Sequence, residues 1–302
     1  DIINVKDKVI EFETGNVLIG SVSRLYMSNK CLLIADHKSV DKQIHIFNKN
    51  DFSYLTSIGN FGEGPEEITV MGCLAIDEAH HQLYVSDHAK QKIFSYDMDS
   101  VMVDSLYKPQ VKTAMNETLF PSEYQYINDT LSIAVLIKPT STSTFNQFLG
   151  RWNMNTGEMI PMKYTHPDIQ KKRITFAASE KAGIYVECYT RHDLMTICSL
   201  DGELLYNIYG PDWDGGNGNK LQSFGTVMIG NDKIFVSYCG EDYARDSFPT
   251  KILVFDLEGN YLKTLETGYK ISDCCYDSFN NRIILSLNDV VQFAYLDIDG
   301  II

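Results

Sequence analysis

Residues 58–99 read IGNFGEGPEEITVMGCLAIDEAHHQLYVSDHAKQKIFSYDMD. An apolar strand end gives way to a Gly/Pro loop, Gly59 to Glu67, and then to three short β-like runs, Met71–Ile76, Gln82–Ser86 and Lys92–Tyr96. Turn residues separate the runs, first Asp77–His81 and then Asp87–Gln91. This spelling describes most of one four-stranded antiparallel unit entered through a glycine loop.

The unit recurs. Runs like LYVS at Leu83 begin at Leu32 (LLIA), Leu131 (LSIA), Ile184 (IYVE), Ile234 (IFVS) and Ile283 (IILS), at spacings of 51, 48, 53, 50 and 49 residues. A second register follows each run: a hydrophobic residue, a small polar one, then a turn. Its members are Phe47-Asn48, Tyr96-Asp97, Trp152-Asn153, Cys198-Ser199, Phe255-Asp256 and Leu296-Asp297. Asp201-Gly202, Glu258-Gly259-Asn260, Asn155-Thr156-Gly157 and Asp299-Gly300 supply hairpin turns that need positive φ. The first five units each continue into a segment suited to an outer strand, such as Phe52–Ile58, Leu204–Tyr209 and Tyr261–Leu265.

Each unit therefore reads as four antiparallel strands, A to D, over about 50 residues. A lone sheet of this kind cannot bury both faces, whereas six arranged radially bury them against their neighbours. The expected fold is all-β: a six-bladed β-propeller occupying residues 1–302 as one domain. The sixth unit has strands A to C and ends at Ile302 just after its turn. The spare N-terminal run Asn4–Phe12 is expected to supply its outer strand and close the ring.

Composition agrees with strands: 18 Tyr and 15 Phe among 302 residues, and no long 3.6-residue period. The net charge of −14 repels phosphate backbones and argues against nucleic-acid binding. No apolar run approaches the roughly 20 residues of a membrane-spanning helix. The chain starts at Asp1 with no apolar leader, so a leader or lipid-anchor segment removed from this N-terminus is the expectation. Seven cysteines form no CxxC pair, and Cys274 and Cys275 point to opposite faces of a strand. They read as buried free thiols.

GNFGEGPEE followed by QLYVSDHAKQKIFSYD resembles NHL-type repeats and TolB-like six-bladed propeller proteins, a type common among exported proteins of gut bacteria. The resemblance is strongest in unit two, about a sixth of the chain. Unit three departs furthest, with the Ser/Thr-rich stretch Thr140–Thr144. The resemblance implies six blades, export by a signal or lipoprotein leader, and a location in the periplasm or at a membrane surface. It implies no particular activity.

In such a fold the D–A and B–C loops emerge on one face and the A–B and C–D turns on the other. Candidate residues sort accordingly. Glu63, Glu66 and Glu67 lie in the first D–A loop, where they are suited to a cation or a basic ligand, or are solvated around Gly62, Gly64 and Pro65. Asp36-His37 and Asp87-His88 hold matching positions at the start of two B–C loops and suit metal binding or acid–base work. The resemblance implies instead that such an aspartate closes its loop. Arg191-His192-Asp193 forms the B–C turn of unit four. The loop Tyr209–Gln222 carries Trp213 between Asp212 and Asp214, poised to stack on a sugar or peptide or to fold back over the blade edge. Asp212, Asp214 and Asn217 are only loosely spaced like a calcium loop. Unit five has a long B–C loop with Glu241, Asp242, Tyr243, Arg245 and Asp246. Lys171-Lys172-Arg173 is the one compact basic cluster, suited to a carboxylate or phosphate or simply solvated. His80-His81 fall on an A–B turn and receive no role.

HExxH, GxSxG, Walker and GxGxxG signatures are missing. The leading expectation is a non-enzymatic binding propeller that engages a protein, peptide or glycan. The alternative is a propeller hydrolase or lactonase holding a divalent cation such as calcium at the channel mouth.

Overall fold

The computed structural model describes residues 1–218 and 221–302. Asn219 and Lys220, in the loop before the fifth repeat, lie outside the described residues. Six antiparallel sheets follow one another along the chain. The first contains Ser23–Met27, Cys31–Asp36, Lys42–Asn48 and Tyr54–Asn60 as strands A to D. The second contains Met71–Asp77, Gln82–Asp87, Lys92–Asp97 and Gln110–Ala114, the third Phe120–Asn128, Leu131–Pro139, Phe145–Trp152 and Met159–Pro161. The fourth contains Ile174–Ser179, Ile184–Tyr189, Leu194–Ser199 and Leu204–Tyr209, the fifth Leu221–Ile229, Lys233–Asp242, Lys251–Asp256 and Tyr261–Glu266. The last pairs Ile271–Asp277, Arg282–Leu287 and Phe293–Asp297 with Ile10–Glu11. The protein is a six-bladed β-propeller, and every repeat run found in the sequence lies in a B strand.

By contact the chain forms two compact units: residues 14–162, with blades one to three, and residues 1–13 with 163–302, with blades four to six. In the first unit, Leu33, Ile46, Val85 and Phe94 share one core, and Tyr84, Ala134, Leu136 and Trp152 share another. In the second unit the corresponding cores gather Val186, Ile197, Val236 and Phe255, and Ile252, Leu285 and Leu296 with Val5. Each core joins residues of neighbouring blades, so the middle strands are covered on both faces. Cys31–Asp36, Ile184–Tyr189 and Arg282–Leu287 are buried throughout, whereas Leu204, Leu205 and Tyr206 on an outer strand are exposed.

The N-terminus departs from expectation in one respect. Only Ile10–Glu11 completes the last blade, with Ile10 opposite Tyr295 and Glu11 opposite Ala294. The expected continuous strand Asn4–Phe12 is interrupted by a 3-10 turn at Lys6–Lys8. Before it, Ile2–Asn4 adds in parallel to Tyr261–Glu266 as a fifth strand of blade five. The turn lets one short segment cover two sheet edges and buries Val5 between them. In blade two a short helix, Met98–Val103, precedes the outer strand, capped where the Asp97 carboxylate accepts the Ser100 N–H. No helix of the described residues is long and apolar enough to cross a membrane.

Candidate functional site

In the first unit, the paired Asp-His motifs have divided roles. Asp36 and Asp87 are the last residues of their B strands, and both are buried. The Asp36 carboxylate accepts N–H bonds from Gly20 (2.9 Å) and Lys38 (3.1 Å). Asp87 accepts from Thr69 (2.8 Å), Val70 (3.1 Å) and Ala89 (3.1 Å). Each carboxylate thus fastens the incoming A-strand segment to its own B–C loop. The histidines turn the other way. His37 Nδ1 lies 3.1 Å from the Met71 carbonyl, and His88 packs edge-on against Phe120 over Gly72, where a Cβ would meet its Nε2 at 2.1 Å. The Nε2 atoms of both are buried without a hydrogen-bond partner. Burial lowers both imidazole pKa values.

The glutamates of the first D–A loop serve the loop or the solvent. Glu67 accepts the Gly64 N–H at 2.8 Å, and Lys90 Nζ donates to the carbonyls of Gly64 and Glu67. Glu66 pairs with Lys108 at 3.4 Å, both exposed, and Glu63 is exposed. On the A–B turns, Asp77, His80 and Asp129 bring one ligand atom each within 4.8 Å of one another. Internal bonds occupy that group: His80 Nδ1 to Asp77 (2.8 Å), the Tyr84 hydroxyl to Asp77 (2.7 Å) and the Tyr126 hydroxyl to Asp129 (2.6 Å).

The second unit brings several expected residues together around a cleft of about 1090 Å³. Its walls come from the D–A segment before blade four, the B–C turn of blade four, the D–A loop before blade five and the long B–C loop of blade five. The turn carrying Arg191 and His192 is held from both sides: the Thr190 N–H donates to the Arg173 carbonyl (3.0 Å), and the Ser223 N–H to the Thr190 carbonyl (2.9 Å). Asp193, buried beneath, accepts the Asp212 N–H at 2.9 Å and the Tyr238 hydroxyl at 3.3 Å. Burial pushes its carboxyl up, against the pull of those donors. Gly210 leaves room for this anchor, because a Cβ there would meet Asp193 Oδ2 at 2.1 Å. Gly216 does the same opposite the Asp168 carbonyl, at 2.4 Å, with φ +87°.

Alternation along Lys171-Lys172-Arg173 splits the basic cluster. Lys172 is buried and pairs with Glu187 at 2.7 Å, a carboxylate that also accepts the Tyr189 hydroxyl at 3.2 Å. Lys171 and Arg173 line the cleft, Arg173 donating to the Lys172 carbonyl at 2.7 Å. Arg191 lines it too, with its guanidinium 3.7 Å from the centre of the Tyr243 ring. Tyr243 stands on a one-turn 3-10 helix at the tip of an extended hairpin and is 52% exposed. Arg245 instead pairs with Glu241 at 3.4 Å on the surface.

Trp213 folds back rather than projecting. Its ring lies 5.0 Å from Tyr209, 5.3 Å from His166 and 6.0 Å from His192. The His166 Nδ1 accepts the Asp168 N–H, so Nε2 carries the proton donated to the Tyr209 hydroxyl at 2.9 Å. Asp214 Oδ1 stands 3.8 Å from His192 Nδ1, beyond hydrogen-bond reach, and that nitrogen is buried without a partner. Sequence reasoning missed His166, which sits in an ordinary-looking D–A segment with no repeat counterpart. It also missed Arg24 and Glu123, which pair across blades one and three at 2.5 and 3.0 Å.

A second hollow, about 510 Å³, lies against the A–B turns of blades one and two and the Met98–Val103 helix. Its lining mixes apolar side chains such as Leu55 and Met102 with polar and charged ones such as Asn29, Lys30, Glu78 and Asp99. Among the described residues, the cleft of the second unit differs in gathering Lys171, Arg173 and Arg191 beside the exposed ring of Tyr243.

Residues 1–148 match the family DUF5128, described as a 6-bladed beta-propeller. No curated protein sequence matches the chain. Among solved structures, a Bacteroides fragilis protein inferred to be exported shares 14% identity, over 94% of this chain and 85% of that one, with a TM-score of 0.61. The β-propeller domain of Cps50 (Swd1) from Myceliophthora thermophila shares 10%, over 95% and 98%, with a TM-score of 0.59. A DUF4221 member from Bacteroides vulgatus shares 10%, over 95% and 94%, with a TM-score of 0.56. At these identities the likeness speaks to the fold alone.

Proposed function

We infer that this propeller is a binding protein rather than an enzyme, and that it takes a protein, peptide or glycan in the cleft between the long loops of blades four and five. One observation carries the reading: Arg191, stacked on the exposed Tyr243 ring, faces a large polar cleft and has no acidic partner among the described residues. A surface with this much spare carboxylate would satisfy an idle arginine cheaply. An arginine held rigid against an aromatic ring and left unpaired is arranged for something that arrives. The description of the Bacteroides fragilis neighbour supports a place outside the cytoplasm, in the periplasm or at a membrane surface.

A screen of the purified protein on glycan and peptide arrays, run beside Gln170→Trp, tests the reading. Gln170 is an exposed loop residue lining the cleft, so the indole fills space without touching a core. Binding by the wild type and its loss in a Gln170→Trp protein with unchanged melting supports the cleft. Binding that the tryptophan leaves intact contradicts it.

A further inference from the structure

We propose that the ligand of this cleft is a carboxylate-bearing saccharide, with the acid group received by Arg191 and a sugar ring laid on Tyr243. The proposal rests on the reading of the cleft as the binding site and adds the chemistry of the ligand.

The charge comes first. Among the described residues, Lys171, Arg173 and Arg191 line the cleft with cationic side chains, in a chain of net charge −14. Neither Lys171 nor Arg191 is paired with an acidic side chain among the described residues, whereas Lys172 and Arg245 each have a glutamate. Arg191 Nε is buried and without a hydrogen-bond partner. His192, 5% exposed, also lines the cleft, and its buried Nδ1 makes no hydrogen bond, with Asp214 Oδ1 standing 3.8 Å away. An unsatisfied buried donor such as Arg191 Nε is costly unless a ligand or water completes it. Asp168 and Asp246 are the acidic groups among the described residues lining the cleft. A guanidinium fork matches a carboxylate in two parallel hydrogen bonds, which a lone ammonium cannot do.

The lining then selects a sugar over a peptide. Beyond the cations, the walls offer the amides of Gln170, Asn217 and Gln222, and the half-exposed ring of Tyr243, one face of which Arg191 covers. Planar amides both donate and accept, as a ring of hydroxyls requires. An exposed tyrosine face takes the C–H side of a pyranose. Among the described residues of the wall, Phe224 is the one large aliphatic or aromatic apolar side chain besides Tyr243, and it is buried, so they offer no apolar pocket for a peptide side chain.

The test is isothermal calorimetry with trisaccharides of D-galacturonate, D-glucuronate and D-mannuronate, their methyl esters, and hexaglutamate, on wild type, Arg191→Gln, Tyr243→Ala and Tyr243→Phe. One uronate trisaccharide should bind, its ester at least about tenfold more weakly. Arg191→Gln should lower its affinity about tenfold or more, Tyr243→Ala should lower it too, and Tyr243→Phe should retain it. Melting curves of each variant establish that it is folded. Ester and acid binding alike overturns the carboxylate while leaving the cleft as a site. Hexaglutamate binding that needs Arg191, with no uronate binding, overturns the saccharide. No binding by any uronate overturns this proposal alone, and the array comparison with Gln170→Trp then decides separately whether the cleft binds anything.

Discussion

Arg24 on the inner strand of blade one and Glu123 on the inner strand of blade three form a two-pronged ion pair, with Nη1–Oε1 at 2.5 Å and Nη2–Oε2 at 3.0 Å. Ninety-nine residues separate them, and the pair ties two non-adjacent blades of the first unit. Their side chains remain 38% and 40% exposed, so solvent screens the attraction. Glu123→Gln should cost about 1 kcal/mol or less, a fall in Tm of about 2–4 °C. Melting curves at low salt and at about 1 M salt check this, since the difference from wild type should shrink as the Debye length falls.

The Lys172–Glu187 pair is of the other kind. Both side chains are under 10% exposed, and Lys172 also lies over the Tyr189 ring. Lys172→Met strands a buried carboxylate and should cost about 3–5 kcal/mol in urea unfolding. Adding Glu187→Gln to that variant should restore much of the loss, because no unpaired charge then remains. A double variant no more stable than Lys172→Met would show that the pair is not coupled.

Much of this fold is legible from one dimension. The B strands repeat at nearly constant spacing because each must be apolar on both faces, and that demand survives when other residues drift. Ile2–Asn4 was not legible as a parallel addition to blade five: three residues carry no period, and only the arrangement of sheets shows which edge lies open. The site was half legible. Loop sorting placed Arg191, His192 and Tyr243 on loops of one face, and the cleft joins them. Whether Trp213 projects or folds back depends on His166, 47 residues earlier, and no spacing encodes that contact.

Acid should destabilise the protein through its histidines. Burial is the leading cause of lowered pKa values at His37, His45, His88, His166 and His192. Between the lowered folded values and the unfolded value near 6.5, the unfolded chain binds more protons, so stability rises with pH there. The contribution is complete above the unfolded value and is lost as pH falls through that window. His80 has the opposite sign, raised by its bond to Asp77, but it is exposed and screened. Urea midpoints between pH 7.5 and 5 should fall with acid, and His192→Asn should flatten the slope. An unchanged midpoint across that range would contradict the burial assigned to these rings.

The seven cysteines are buried and free. Burial pushes Cys73 up to about 12 and Cys198 to about 11, far from the thiolate that reacts. Ellman's reagent should therefore label almost none of them in the native protein at pH 8 and all seven in guanidinium. Rapid labelling of a native thiol would mean that a blade opens on that timescale.

The cleft of blades four and five is the central claim, and hydrogen exchange with a bound array ligand tests it most directly. Added ligand should protect backbone amides in residues 168–173, 190–192 and 241–246, and leave the hollow beside Met98–Val103 unchanged. Protection confined to blades one to three, with none in those three segments, would contradict the account.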